Sequence, residues 1–366
     1  MNKTIIIAAA AAAFTTTAYA KDLQNAKSGL VLYGMLDTAV TYRSNIDNNE
    51  NNEWLIRSGI TKSNFGLRGL EDIGAGLKAI FKLESEINIT NASIDDPNRS
   101  LFNREAYIGL LSNSGLISVG RQYDAVQDYL SPISAAGSWG GMYFSHVKNK
   151  DFLFKSSDLS LNSTVKFTSN EYNGLRFGGT YSIPSKKDIP TKTAYSAGVS
   201  YQCKDFHIAA SYLKIDKKVD KNGHLTKNLA YGVGANYKIG PAKIGALWTR
   251  SFKDAFANKS GYRDLNTYEV NARYNLTPNL AISASYSYMD SRREKNEEFS
   301  VLSQVGVQTD YMLSKRTGLY AQVQYQYLIN STDDNSYIYD DFDPSSENRS
   351  IGKDQIVAQV GLRHSF

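Results

Sequence analysis

Charged side chains stand at alternate positions of short segments whose intervening positions are apolar. In one such segment Lys78, Lys82 and Glu84 alternate with leucine, alanine and phenylalanine. Because successive side chains of a β-strand face opposite sides, this pattern gives one charged face and one apolar face. Opposed acids and bases lining a passage create a field that selects ions by charge. The pattern therefore favours ion-selective transport over catalysis.

The residue types of common catalytic and metal sites occur without the necessary spacing. The histidines are scattered along the chain, at His146, His207, His224 and His364. None has metal-ligand spacing or a neighbouring nucleophile motif. Ser365 adjoins His364, but adjacent strand residues point in opposite directions, and the lone Cys203 cannot form an intramolecular disulfide. We predict no enzymatic activity, no cofactor and no metal site.

The chain ends on an amphipathic strand. Val360, Leu362 and Phe366 share one face of this strand, whereas Gln359 and Arg363 share the other. A terminal strand that ends on phenylalanine suggests that the terminus closes a sheet with an apolar exterior. We predict an outer-membrane β-barrel in which Phe366 is needed for closure and assembly.

The beginning of the chain is typical of a secretory signal peptide. Lys3 precedes an apolar run over residues 5–14, and residues 18–20 form an A-x-A cleavage site. The run is shorter than the roughly 20 residues that a transmembrane helix needs. We expect residues 1–20 to be removed and residues 21–366 to form one barrel domain. The formal net charge of +5 is mild and does not favour nucleic acid as a partner.

Alternation recurs through the chain, and short turns alternate with long polar loops such as residues 185–192 and 332–349. Outer-membrane barrels have short periplasmic turns and long extracellular loops. Alternation alone would also suit a soluble β-sandwich with its apolar face inside. We predict an all-β, sixteen-stranded antiparallel barrel with strands at residues 29–43, 60–71, 77–90, 102–112, 116–124, 159–170, 174–183, 193–203, 206–215, 228–239, 242–252, 265–276, 279–290, 301–312, 317–329 and 354–366.

The segment between residues 120 and 159 lacks alternation and has glycines around Trp139. A barrel of about sixteen strands is wide enough for an aqueous channel. We predict that residues 125–158 fold into the lumen and narrow it. An ordinary surface loop is the alternative, although loops of this length are uncommon unless they are functional.

Four stretches resemble the general porins of Gram-negative β- and γ-proteobacteria, of the neisserial type. They are LVLYGMLDTAV at 30–40, SNFGLRGLEDIGAGLKAIFKLESEI at 63–87, FNREAYIGLLSNSGLISVGRQYD at 102–124 and VGLRHSF at 360–366. The resemblance implies a homotrimer in which the third extracellular loop constricts each pore and inward arginines set the ion preference. Met35 and Asn64 stand where such porins often have arginine, so two positive charges of the family's pore wall are missing here.

The predicted constriction combines wall residues with acids of the loop. Its residues are Arg43, Arg68, Lys82, Glu84, Arg121, Asp124 and Asp128. We expect the four bases to face the two aspartates, so that a transverse field orients permeating dipoles. The plainer alternative is that several of these residues are solvated wall positions without a filtering role.

These observations predict passive diffusion of ions and small hydrophilic solutes through an outer-membrane channel. The excess of basic inward positions, together with the family resemblance, favours a weak anion preference. The predicted partners are two further copies of the chain, the lipid bilayer and lipopolysaccharide. The alternative is a plugged barrel that acts as a surface adhesin or receptor through its loops. Conductance after reconstitution distinguishes the two.

Overall fold

The computed structural model describes residues 28–46, 51–94, 100–183, 193–218, 225–253, 263–293, 299–331 and 353–366. The predicted signal peptide and the predicted loops at 185–192 and 332–349 lie outside these ranges. The strands are β1 (Gly29–Ile46), β2 (Asn51–Arg57), β3 (Asn64–Gly74), β4 (Leu77–Asn88), β5 (Ser93–Ile94), β6 (Glu105–Ser112), β7 (Gly115–Gln122), β8 (Leu161–Ser169), β9 (Leu175–Ser182), β10 (Thr193–Cys203), β11 (Phe206–Lys218), β12 (Leu225–Ile239), β13 (Ala242–Lys253), β14 (Arg263–Asn275), β15 (Leu280–Arg293), β16 (Phe299–Met312), β17 (Thr317–Ser331) and β18 (Asp354–Ser365).

The sheet closes on itself, because β1 pairs antiparallel with β18. β2 and β3 pair with successive halves of β1 and together form one barrel strand. β5 is a two-residue arm that pairs with the end of β4. The barrel therefore has sixteen strands, which confirms the predicted fold class. Closure leaves no unpaired strand edge, as a sheet in lipid requires.

One predicted strand was wrong at its start. The sequence predicted a strand over 60–71, whereas residues 58–63 leave the sheet between β2 and β3. Asp37 of β1 holds them inside: its carboxylate accepts from the Thr61 N–H at 3.0 Å, and its own N–H donates to Ser63 Oγ at 2.9 Å. A buried carboxylate that needs donors thus replaces part of the strand ladder.

The apolar face of the barrel points outward. On β17, Leu319 and Val323 are more than 40% exposed, whereas the intervening Gln322 and Gln324 are buried. This is the reverse of a soluble sandwich, and it suits a sheet surrounded by lipid. Within the described residues no helix has the length and apolar character needed to cross a membrane.

The carboxyl terminus completes the wall. Phe366 donates its N–H to the Gly34 carbonyl at 3.0 Å and accepts from the Gly34 N–H at 3.2 Å. Its ring covers Gly34, where a Cβ atom would lie 2.5 Å from the ring carbon Cζ. The last residue therefore belongs to the seam between the last and first strands.

Candidate functional site

Residues 123–160 leave the wall after β7, return at β8 and are here called the inserted segment. Their short helical turns are Val126–Leu130, Ser131–Ile133, Ala136–Gly140, Met142–Phe144, Val147–Asn149 and Ser157–Leu159. Leu130 and Ile133 belong to the same buried cluster as Leu213 of β11 and Leu247 of β13. Both strand residues point inward, because their neighbours along each strand are more exposed. The inserted segment therefore packs on the inner wall of β10–β13.

Other contacts of the inserted segment reach β16 and the stretch between β2 and β3. Gln308 of β16 donates from Nε2 to the Trp139 carbonyl at 2.9 Å, and Gln304 donates to the Tyr143 carbonyl at 3.0 Å. The Met142 N–H donates to the carbonyl of Ile60, in the stretch that bends inward between β2 and β3, at 3.2 Å. The inserted segment is thus held by walls on both of its sides.

A buried histidine joins the inserted segment to β14. His146 Nδ1 lies 2.5 Å from Oδ2 of Asp151, and its Nε2 lies 2.9 Å from Oε2 of Glu269. We call these three residues the histidine clip. Burial by itself would lower the pKa of His146, but Asp151 and Glu269 outweigh burial and raise it to about 10. The imidazolium therefore persists at neutral pH and donates from both nitrogens.

Neighbouring polar groups fix the two carboxylates of the clip. Glu269 Oε1 accepts from the Ala135 N–H at 2.8 Å, and Asp151 Oδ2 accepts from Thr249 Oγ1 at 2.8 Å. The clip therefore connects the inserted segment with both β13 and β14. Sequence reasoning assigned His146 only to the constriction loop. Its partners could not be found from spacing, because Glu269 lies 123 positions away.

Six charged residues near β3, β4 and β6 form a second group, the wall cluster: Lys62, Lys82, Glu84, Glu86, Arg104 and Glu105. Lys62 Nζ lies 2.8 Å from Glu86, and Arg104 Nε lies 2.7 Å from Glu84. Lys82 pairs with both Glu84 and Glu105. The cluster holds equal numbers of bases and carboxylates, so it gives little net field.

Of the predicted constriction residues, Arg68, Lys82 and Glu84 come together around Tyr33. The Tyr33 hydroxyl donates to Glu84 at 2.8 Å, and the Arg68 guanidinium carbon lies 5.3 Å from the centre of the Tyr33 ring. Arg68 and Lys82 are also direct partners across β3 and β4. Arg43 lies nearer the far end of β1, where it pairs with Glu53 of β2.

The other predicted residues have structural partners. Arg121 donates to the carbonyls of Asn103 at 2.6 Å and Ser157 at 2.7 Å, which ties the return of the inserted segment to the wall. Asp124 is buried and accepts from the Val126 N–H at 2.6 Å, and burial raises its pKa to about 6. Asp128 lies 2.5 Å from Nζ of Lys166, an inward lysine of β8 that was not among the predicted constriction residues.

Several basic side chains point into the lumen near the end of the barrel where short turns connect the strands. They are Arg176 on β9, His207 on β11, Lys238 on β12, Lys243 on β13, Arg273 on β14 and Arg363 on β18. Arg273 pairs with Asp310 of β16 at 2.6 Å. We call this set the basic row. Unlike the wall cluster, it has few carboxylates among the described residues beside it.

Within the described ranges no group of three or more histidine, cysteine, aspartate or glutamate side chains is arranged to hold a metal ion. The histidine clip has both imidazole nitrogens engaged by carboxylates.

Comparison with known proteins identifies the family. The model of the Gram-negative porin family matches residues 8–331. The chain belongs to this family. Outer membrane porin protein 32 of Delftia acidovorans is 27% identical to this porin over 350 residues, covering 93% of the chain and 95% of the relative. An outer membrane porin protein of Bordetella pertussis is 26% identical over 376 residues, covering 89% of the chain and 94% of the relative.

Solved structures share the fold of this porin. The anion-selective porin from Comamonas acidovorans superposes with a TM-score of 0.75 at 23% identity, covering 93% of this chain and all of that one. OmpT of Vibrio cholerae, in a trimer form, gives a TM-score of 0.69 at 18% identity. The protein is thus an outer-membrane porin that acts as a passive channel, as its sequence predicted. The relatives reported above are porins.

Proposed function

We propose that this porin is a weakly anion-selective diffusion channel whose bore is narrowed by the inserted segment. The observation that carries the proposal is the attachment of that segment on both sides of the lumen: Leu130 packs with Leu213 of β11, and the Met142 N–H donates to the Ile60 carbonyl between β2 and β3. A segment held in this way leaves only the remaining lumen for permeating ions. The predicted constriction loop, residues 125–158, lies within the inserted segment.

The charges support the proposed sign of selectivity. The wall cluster is balanced, whereas the basic row leaves excess positive charge along the lumen. Such a potential raises the local concentration of anions and lowers that of cations. The basic row lies on the side with short turns, so the attraction would act mainly in the periplasmic half. The Comamonas porin with the same fold is itself described as anion-selective.

We also propose that three copies assemble in the outer membrane. Outward side chains of β1, β2, β16, β17 and β18, among them Val40, Trp54 and Val307, form a shallow apolar depression suited to a second apolar surface. Cross-linking in mild detergent should give a three-copy species, and a purely monomeric barrel would contradict assembly.

We expect amino-terminal sequencing of the outer-membrane protein to begin at Lys21. We also expect lipid and lipopolysaccharide to surround the outer face of the barrel.

The experiment for channel function is a planar bilayer recording of the refolded protein under a KCl gradient. Stepwise conductance is expected, with a reversal potential of the sign that anion preference requires. A cation-selective potential would overturn the proposed selectivity. A silent bilayer from verified folded barrel would instead favour the plugged surface receptor.

A further inference from the structure

Tyr129 of the inserted segment occupies a notch in the inner wall. Gly178 of β9 and Gly198 of β10 are direct partners across the sheet. A Cβ atom at Gly198 would overlap the Tyr129 ring, and one at Gly178 would lie 2.7 Å from its hydroxyl oxygen. Two opposed glycines therefore provide the space that this side chain fills. The Tyr129 hydroxyl is buried and has no hydrogen-bond partner among the described residues.

Arg176 lies two positions before Gly178 on the same inward face. The residue is only 5% exposed. No hydrogen-bond acceptor or carboxylate in the described part of the chain bonds its guanidinium. Burial raises the pKa of Tyr129, Asp128 raises it further and Arg176 opposes both, which indicates that the Arg176 charge reaches the phenol. The Arg176 nitrogens are not among the buried atoms without a partner, so they reach the lumen, where water or an anion can accept from their five N–H groups.

Among the described residues, no carboxylate forms an ion pair with Arg176. Asp128 is next to Tyr129 in sequence, but its carboxylate lies 2.5 Å from Lys166 Nζ. His207 and Lys243 face inward on nearby strands and add no negative charge. Thr180, two positions beyond Gly178, is also buried with an unpartnered hydroxyl. The notch thus offers several donors and one excess positive charge.

We propose that Arg176 and the Tyr129 hydroxyl form a binding site for a single small anion, either chloride or the carboxylate group of a permeating solute. The site lies at the foot of the inserted segment, and it rests on the proposed anion conduction. A guanidinium and a hydroxyl are both suitable donors to such an ion, and the charge-assisted bonds are the stronger ones. Anions would pause at this position during passage.

The test measures single-channel conductance against KCl concentration for the wild type, Arg176→Gln, Arg176→Lys and Tyr129→Phe. Lys238→Gln is the matched control, because it removes one inward positive charge from the exposed periplasmic end of β12. We expect wild-type conductance to saturate. Arg176→Gln should weaken the apparent anion affinity about tenfold, equivalent to about 1.4 kcal/mol. Arg176→Lys should restore part of it, and Tyr129→Phe should weaken it less. Lys238→Gln should lower the conductance at low KCl, as the loss of any charge of the basic row would, but it should change the half-saturating KCl concentration far less than Arg176→Gln does.

The outcomes separate this site from the proposed function. An anion-selective channel in which Arg176→Gln and Lys238→Gln behave alike would overturn the site and leave channel function intact. A channel without anion preference would overturn the proposed selectivity. Potassium acetate in place of KCl distinguishes the occupants, since saturation in both salts indicates carboxylate binding as well. Chloride NMR line broadening by the wild-type protein tests the site without any variant. Added acetate should reverse the broadening if both anions bind there. Absence of broadening would count against the anion site.

Discussion

Replacement of His146 by glutamine should release the inserted segment from β14. In the wild type the imidazolium lies between Asp151 and Glu269, at 2.5 Å and 2.9 Å. Glutamine can donate a hydrogen bond but carries no charge, so two buried carboxylates would remain without their shared cation. Buried anions left unpaired are strongly destabilising, and the segment that carries Asp151 can relieve the repulsion by moving into the lumen.

The size of the effect follows from the buried ion pair and from the pKa shift of His146. Removing one partner of a buried ion pair costs about 3–5 kcal/mol. The pKa of His146 rises from 6.5 to about 10, which at about 1.4 kcal/mol per pH unit corresponds to at most about 5 kcal/mol. Because the folded pKa exceeds the unfolded one, this stabilisation is complete below pH 6.5 and is lost as pH rises through 10. Alkaline wild type should therefore resemble the variant at neutral pH.

The assay is single-channel conductance and open-channel noise, together with the denaturant midpoint, at neutral pH and above pH 10. We expect His146→Gln to be noisier and less stable at neutral pH, and the wild type to approach it above pH 10. Adding Glu269→Gln should recover part of the loss, because one of the two carboxylates is then neutral. His364→Gln is the control, since His364 is exposed and its described partner is Thr317 at 2.9 Å. Unchanged noise and midpoint in His146→Gln, with a pH-independent wild type, would refute the reasoning.

Three further changes test other parts of the barrel. Deletion of Phe366 should reduce the heat-modifiable barrel recovered from outer membranes, because the seam with Gly34 is lost; normal recovery would show that the seam closes without it. Arg43→Gln should leave the reversal potential close to that of the wild type, since the Arg43 charge is paired with the Glu53 carboxylate; a large shift toward cations would contradict this pairing. Arg121→Met should lower the unfolding free energy by about 1–3 kcal/mol, as two buried carbonyls lose a charged donor. Denaturant titration measures that loss, and an unchanged midpoint would exclude a structural role for Arg121.

The residues that point inward were largely predictable. Side chains alternate with a period of two in any strand, so Glu269 and Arg176 could be placed on the lumen-facing side of the wall without knowledge of their neighbours. The inward bend after β2 was not predictable in this way. It depends on the buried carboxylate of Asp37, whose donors come from a different part of the chain.

The partners of the charged residues were harder to predict. The four bases and two acids of the expected constriction share a face or a loop, but the described contacts give them separate roles. Arg43 pairs with Glu53, Asp128 pairs with Lys166, and Arg121 binds backbone carbonyls. Alternation in the sequence predicts which face of the sheet a side chain occupies. It does not predict the height along the barrel axis of the residues that the side chain meets on another part of the wall. That height depends on strand register and on the path of the inserted segment.

The sequence by itself determined the strand number, the outward apolar face and the closing role expected of the last strand, because each follows from local periodicity and chain order. Tertiary structure decided where the inserted segment docks, and it formed the histidine clip and the notch around Tyr129. Gly178 and Gly198 illustrate the difference. In the sequence they are two glycines in separate strands, and only the register that pairs them opens space for Tyr129. Contacts between distant parts of the chain depend on how strands align around a closed barrel, which local pattern does not encode.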